Sequence, residues 1–120
     1  VASFPLFRAA AQPFFDPGDP IHFAAGASSD LAVLQQTGLG DVIIPLDTSV
    51  DLAAALRLTE LGATTGTAPL RAFVRADPAK YLPAAQLRAY NGHNVMWDFA
   101  PERDQALTFL ETDGRVLLAP

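Results

Sequence analysis

Apolar residues in this chain come in short runs, several of them closed by Gly or Pro, and strand-like and helix-like patterns alternate. Ile21 to Ala25 is a short apolar stretch ending at Gly26, which predicts a strand. Ser28 or Ser29 then stands where a helix would be capped, with Asp30 near the positive end of the dipole. That helix is expected to run to about Thr37 before Gly38 and Gly40. Asp41-Val42-Ile43-Ile44-Pro45-Leu46 is a β-branched apolar run without alternation, the pattern of a strand buried on both faces of a parallel sheet. Pro45 belongs at its end, because it cannot donate to a ladder.

The next segment predicts a helix capped by Asp47, Thr48 or Ser49, with Asp51 in its first turn and Gly62 as its C-terminal cap. Leu52, Ala55, Leu56 and Leu58 supply an apolar face, and Arg57 with Glu60 an exposed pair. Leu70 to Val74 reads as a strand. Asp77-Pro78 reads as a cap and first helical position, and Pro83 restarts the helix before the Asn91-Gly92 turn. Val95 to Phe99, Leu107 to Leu110 and Arg115 to Leu118 read as strands, with Thr112-Asp113-Gly114 as the hairpin turn between the last two.

Strand–helix alternation with short loops defines an α/β fold: a short, mostly parallel sheet with flanking helices and a C-terminal antiparallel hairpin. Residues 1–120 are expected to form a single globular domain, with 1–20 a helix plus Pro-rich turn leading into the sheet. Phe4, Phe7, Phe14 and Phe15 are half of the 8 phenylalanines and lie within the first fifteen residues. Phe4 and Phe7 fall on one side of a short helix, and Asp16-Pro17-Gly18-Asp19-Pro20 is a rigid turn.

Composition narrows the function classes. Half of the residues are hydrophobic, too many for an intrinsically disordered chain. Eight basic residues against 13 acidic ones leave a net charge of −5, and the basic residues are scattered, which argues against a nucleic-acid-binding surface. No apolar run reaches the roughly 18 residues of a membrane span, so a soluble chain without membrane contact is expected. The first eight residues lack a charged leader with a long apolar core, so no signal segment is read there, and the compartment is unassigned. The absence of cysteine excludes thiol chemistry, disulfides and thiolate-bound metals.

Candidate chemistry is sparse. In an open α/β sheet, ligands bind beyond the carboxyl ends of the strands, where this reading places Ser28, Ser29, Asp47, Thr48, Ser49 and Asp98. Ordinary helix capping explains most of these residues equally well. Asp47-Thr48-Ser49 after an Ile-Ile run resembles the first strand of PIN-type nucleases over those three residues. Such enzymes gather several carboxylates around a divalent metal, whereas this chain offers only Asp77 between Glu60 and Asp98. A thioredoxin-like reading suits Phe23-Ala24-Ala25, but Gly26-Ala27-Ser28-Ser29 stands where a Cys-x-x-Cys is needed. Thr65-Gly66-Thr67 lacks the spacing and the lysine of a phosphate loop.

His22, between Ile21 and Phe23, points to the opposite sheet face from them; His93 follows a turn, in a solvated setting. Neither has a ligand partner at metal-binding spacing, so no metal and no cofactor is expected. Glu102 and Asp104 beside Pro101 read as a charged turn.

The resulting expectation is a non-enzymatic protein-interaction or assembly domain, possibly self-associating, with Phe4, Phe7, Phe14 and Phe15 as interface candidates. Tyr81, Tyr90, Met96 and Trp97 form a second aromatic group, of which Met96 and Trp97 are assigned to a strand core. The rival expectation is a small enzyme or ligand-binding protein using the strand-end rim around Ser28, Asp47 and Asp98.

Overall fold

The computed structural model describes residues 20–119, with the side chain of His22 outside that description. Phe4, Phe7, Phe14, Phe15 and the Pro-rich turn before Pro20 lie outside the described residues. The α/β class holds, with a three-stranded parallel sheet, helices on its faces, and a separate antiparallel pair that includes the C-terminal strand.

The elements are α1 (Pro20–Ala24), β1 (Val33–Gly38), α2 (Leu46–Ala55), β2 (Thr59–Glu60), β3 (Thr64–Thr65) and β4 (Arg71–Ala76). A 3₁₀ turn at Pro78–Lys80 follows, then α3 (Ala84–Leu87), α4 (Val95–Asp98), α5 (Ala100–Glu111) and β5 (Val116–Leu117). The sheet order is β1-β4-β2, with Val33 opposite Arg71 and Gly38 opposite Ala76. β3 pairs antiparallel with β5.

β4 occupies the centre because its side chains suit both faces. Ala72, Val74, Phe109 and Leu117 form one buried cluster, and Ala76, Val95 and Phe99 a second. Phe73, on the other face of β4, is 4% exposed. Arg71 fastens the amino end of the sheet: its guanidinium donates to the carbonyls of Ser28 (2.8 Å), Leu31 (3.0 Å) and Leu56 (2.6 Å). Two expectations for the middle of the chain hold as read. Asp77 accepts from the Ala79 N–H and Pro78 opens the 3₁₀ turn, and Pro83 precedes α3.

Several elements differ from the sequence reading. Ile21 to Ala25 is not a strand; Pro20 opens the short helix α1, where its fixed φ suits the first turn. The expected helix from Ser28 or Ser29 to Thr37 is replaced by β1. The Ser28 hydroxyl accepts from the Asp30 N–H in a local turn, and the two glutamine amides of β1 donate to groups outside the strand, with Gln35 Oε1 buried and unpartnered. Gln35 Nε2 donates to the Ser49 carbonyl (2.8 Å), and Gln36 Nε2 to Glu102 O and Gln105 Oε1, both at 2.8 Å.

Asp41 to Pro45 is a loop rather than a strand, and Leu46 is the first residue of α2. The Asp41 carboxylate accepts from the N–H groups of Ile43 (2.7 Å) and Ile44 (2.9 Å), donors that a ladder would need. α2 exists as expected, but Pro45 precedes it and no side chain caps it. Its C-terminus is not Gly62: Arg57 takes the left-handed conformation (φ 56°), while Leu58 N–H bonds Ala53 O and Arg57 N–H bonds Ala54 O. Glu60 pairs with Arg75 at 3.1 Å instead of Arg57.

Val95 to Asp98 and Leu107 to Leu110 are helical, in α4 and α5, with Phe99 extended between the two helices. Pro101 and Glu102 are the first turn of α5 rather than a charged turn. Its inward face carries Glu102, Gln105 and Phe109, so two polar residues interrupt the apolar stripe. Thr112-Asp113-Gly114 therefore joins α5 to β5, whose antiparallel partner is β3.

Candidate functional site

The carboxyl ends of β1 and β4 bring three loops together. Leu39 N–H bonds the Ala76 carbonyl at 2.8 Å, which keeps the chain leaving β1 against the end of β4. Val42 N–H bonds the Asn91 carbonyl at 3.0 Å, and Asn91 Oδ1 accepts from the His93 N–H at 3.0 Å. Glycine permits this approach. A Cβ at Gly38 would run into the Gly92 carbonyl, and one at Gly92, whose φ is +74°, would run into the backbone at Asp41.

The result is a pair that the sequence reading left apart. His93 Nδ1 lies 3.0 Å from Asp41 Oδ2, with the Asp41 side chain 7% exposed and the His93 side chain 33%. Burial works to raise the Asp41 pKa, but the N–H groups of Ile44 and Ile43 and the His93 imidazole outweigh it, and the carboxyl sits below its ordinary value. An ionised carboxylate only accepts, so Nδ1 carries the proton, and in the neutral form of the ring Nε2 is left as an acceptor. Among the described residues Nε2 has no hydrogen-bond partner.

His93 forms part of the wall of a groove of about 450 Å³. Its apolar walls include Leu34 from β1, Met96 and Trp97 from α4, and Phe109 and Leu110 from α5, and Gln36 and Asn94 also line it. Trp97 and Leu110 are 70% and 72% exposed, so Trp97 is not the core residue that a strand assignment implied. On the other side of Asp41, the loop projects Val42, Ile43 and Ile44 at 76%, 58% and 43% exposure.

Behind the pair lies a buried aromatic and acidic layer. Tyr81 stacks on Phe99 with centroids 4.6 Å apart, and Tyr90 tilts against the same ring at 5.4 Å. Tyr81 donates to Glu102 Oε1 at 3.1 Å. Glu102 is fully buried with Oε2 unpartnered, and burial pushes its carboxyl above the ordinary range. Burial and the Asp98 carboxylate push the Tyr90 phenol up to about 12; burial and Glu102 do the same for Tyr81.

The residues expected on the rim are spread out. Ser28 and Ser29 precede β1, at the amino end of the sheet that Arg71 fastens. Asp47, Thr48 and Ser49 lie in the first turn of α2, with Ser49 buried and Asp47 and Thr48 exposed. Asp98 ends α4 and acts on Tyr90. Among the described residues, no three His, Cys, Asp or Glu side chains gather to hold a metal ion, and no helix is long and apolar enough to cross a membrane. Asp41 was read only as the first residue of a strand, and His93 only as a solvated residue after the Asn91-Gly92 turn.

An α/β fold with a strand-end His–Asp pair defines the molecule structurally. Comparison with protein-family models, curated proteins and solved structures finds no match.

Proposed function

We propose that this chain is a non-enzymatic protein-interaction domain that assembles with a second copy of itself through the loop following β1. The observation that carries the reading is the way this loop is built. Val42, Ile43 and Ile44 point outward while all three of their N–H groups are bonded, to Asn91 O and to the Asp41 carboxylate. An apolar segment that is braced at its backbone and exposed at its side chains is pre-organised for contact, since little ordering cost remains. Such a patch suits an isologous contact, in which the same surface meets itself. The net charge of −5 opposes association elsewhere, and no charged side chain falls between Val42 and Leu46.

Light scattering of the full chain over a range of concentrations tests this reading. The wild type is expected to gain mass with concentration. The triple variant Val42→Ser, Ile43→Ser, Ile44→Ser should stay monomeric with an unchanged urea midpoint. A wild type that remains monomeric at high concentration, or a variant that assembles equally well, overturns it. The ligand-binding alternative is favoured by a separate observation, the Asp41–His93 pair at the groove.

A further inference from the structure

The geometry points to a binding site for a small apolar molecule bearing one hydroxyl donor, with its apolar body in the groove between α4 and α5 and its hydroxyl on His93 Nε2. This inference rests on the ligand-binding reading of the strand-end rim and is independent of self-association.

Three features carry it. The first is size and lining: about 450 Å³ with mainly apolar walls lies within the range of small-molecule sites, roughly 300–1,000 Å³. The second is direction. Nδ1 is committed to Asp41 at 3.0 Å, so in the neutral ring the nitrogen left over is the acceptor, and it calls for a donor rather than a carbonyl or carboxylate. The third is rigidity. The 91–93 turn is tied to the Asp41 loop through Val42 N–H and through the Gly38–Gly92 approach. Asn91 fixes the His93 backbone, so the acceptor is held before any ligand arrives.

The tautomer makes the inference testable, because it depends on the partner of Nδ1. In Asp41→Asn, the side-chain amide can donate to Nδ1 while its oxygen still accepts from Ile43 and Ile44. The ring proton then moves to Nε2, and the groove presents a donor instead of an acceptor.

Trp97 lines the groove and is the only tryptophan in the chain, so its fluorescence reports occupancy directly. The full chain is titrated with 4-butylphenol, which donates, and with 4-butylacetophenone, which only accepts; equilibrium dialysis provides the second readout. The wild type is expected to bind the phenol saturably and about tenfold more tightly than the ketone, the effect of one hydrogen bond made or missed. His93→Leu should bring the two affinities within about twofold. Asp41→Asn should abolish or reverse the preference. Ala106→Trp, which fills the groove while leaving His93 in place, should weaken both ligands. Circular dichroism melts establish that each variant is folded. Absence of saturable binding by both readouts, equal wild-type affinity for the two ligands, or a phenol preference that survives His93→Leu overturns the inference.

Discussion

Two six-residue segments of this chain look alike as sequence and end in opposite places. Asp41 to Leu46 and Arg71 to Ala76 each begin with a charged residue followed by three apolar ones, and a strand is read in each, over Asp41 to Leu46 and over Leu70 to Val74. Arg71 to Ala76 is the central strand, with Ala72, Phe73, Val74 and Ala76 buried. Asp41 to Pro45 is a surface loop with three large aliphatic side chains in solvent, and Leu46 already opens α2. The first residue separates them. The Arg71 side chain takes up carbonyls of other segments and leaves its own strand's backbone free to pair. The Asp41 side chain takes up N–H groups of its own segment and removes them from any ladder. Apolarity marks what must be covered; the hydrogen bonds of the backbone decide whether a sheet covers it.

The sharpest way to break this contrast is truncation in each segment. Phe73→Ala should cost about 3–5 kcal/mol in urea unfolding, because it opens a cavity beside the central strand. Ile43→Ser should change the monomer's stability by no more than about 0.5 kcal/mol. Comparable losses at both positions would show that the loop packs on something within its own chain.

Asp41→Ala is next. It removes the acceptor for two N–H groups and for His93, and should destabilise by about 2 kcal/mol at neutral pH. The folded carboxyl lies below its ordinary value of 3.8, so the unfolded state binds the proton first as pH falls. The stabilisation is therefore complete above pH 3.8 and disappears as pH drops through the lower folded value. Melts of wild type and variant from neutral to acid pH should converge in that window.

Glu102 supplies the opposite sign. Burial raises its folded pKa above the ordinary 4.5, so the native state holds the proton more tightly and loses stability as pH rises through that interval. Glu102→Gln keeps an acceptor for Tyr81 without the charge. It should raise the neutral-pH midpoint by an amount on the order of 1 kcal/mol, with the gain shrinking toward pH 4.5. A loss of stability at neutral pH would show that the Tyr81 hydrogen bond and Lys80, which favour the charged form, outweigh burial.

The smallest effect belongs to Thr48→Ala. Thr48 is exposed and no side chain caps α2, so the change should stay within about 0.5 kcal/mol. A cost near 1 kcal/mol would restore the capping role that its position suggests.

Legibility in the sequence followed how locally each element is determined. The α/β class, β4, the Asp77-Pro78 turn and the helix after Pro45 were readable because their own residues specify them. β1 was hidden by Gln35 and Gln36, whose amides find partners on α2 and α5 that no local pattern reveals. α5 was hidden likewise by Glu102 and Gln105 on its inward face, although Pro101 followed by an acid is a helix-start signal that a reading for turns passes over. The rim was argued from a rule of α/β sheets, and the misplaced first strand carried Ser28 and Ser29 to the wrong end. Asp41 and His93 are 52 residues apart, and they meet because two glycines let two loops touch.

Asp41 serves two surfaces with one side chain: Oδ1 holds the Val42–Ile44 loop and Oδ2 holds the ring that faces the groove. Linkage of this kind is symmetric. Any event that tightens the imidazole's hold on the carboxylate alters the loop, and any contact that clamps the loop alters the imidazole by the same free energy. Occupancy of the groove and association through the loop are thus expected to appear in each other's binding constants, in a ratio fixed by a single residue.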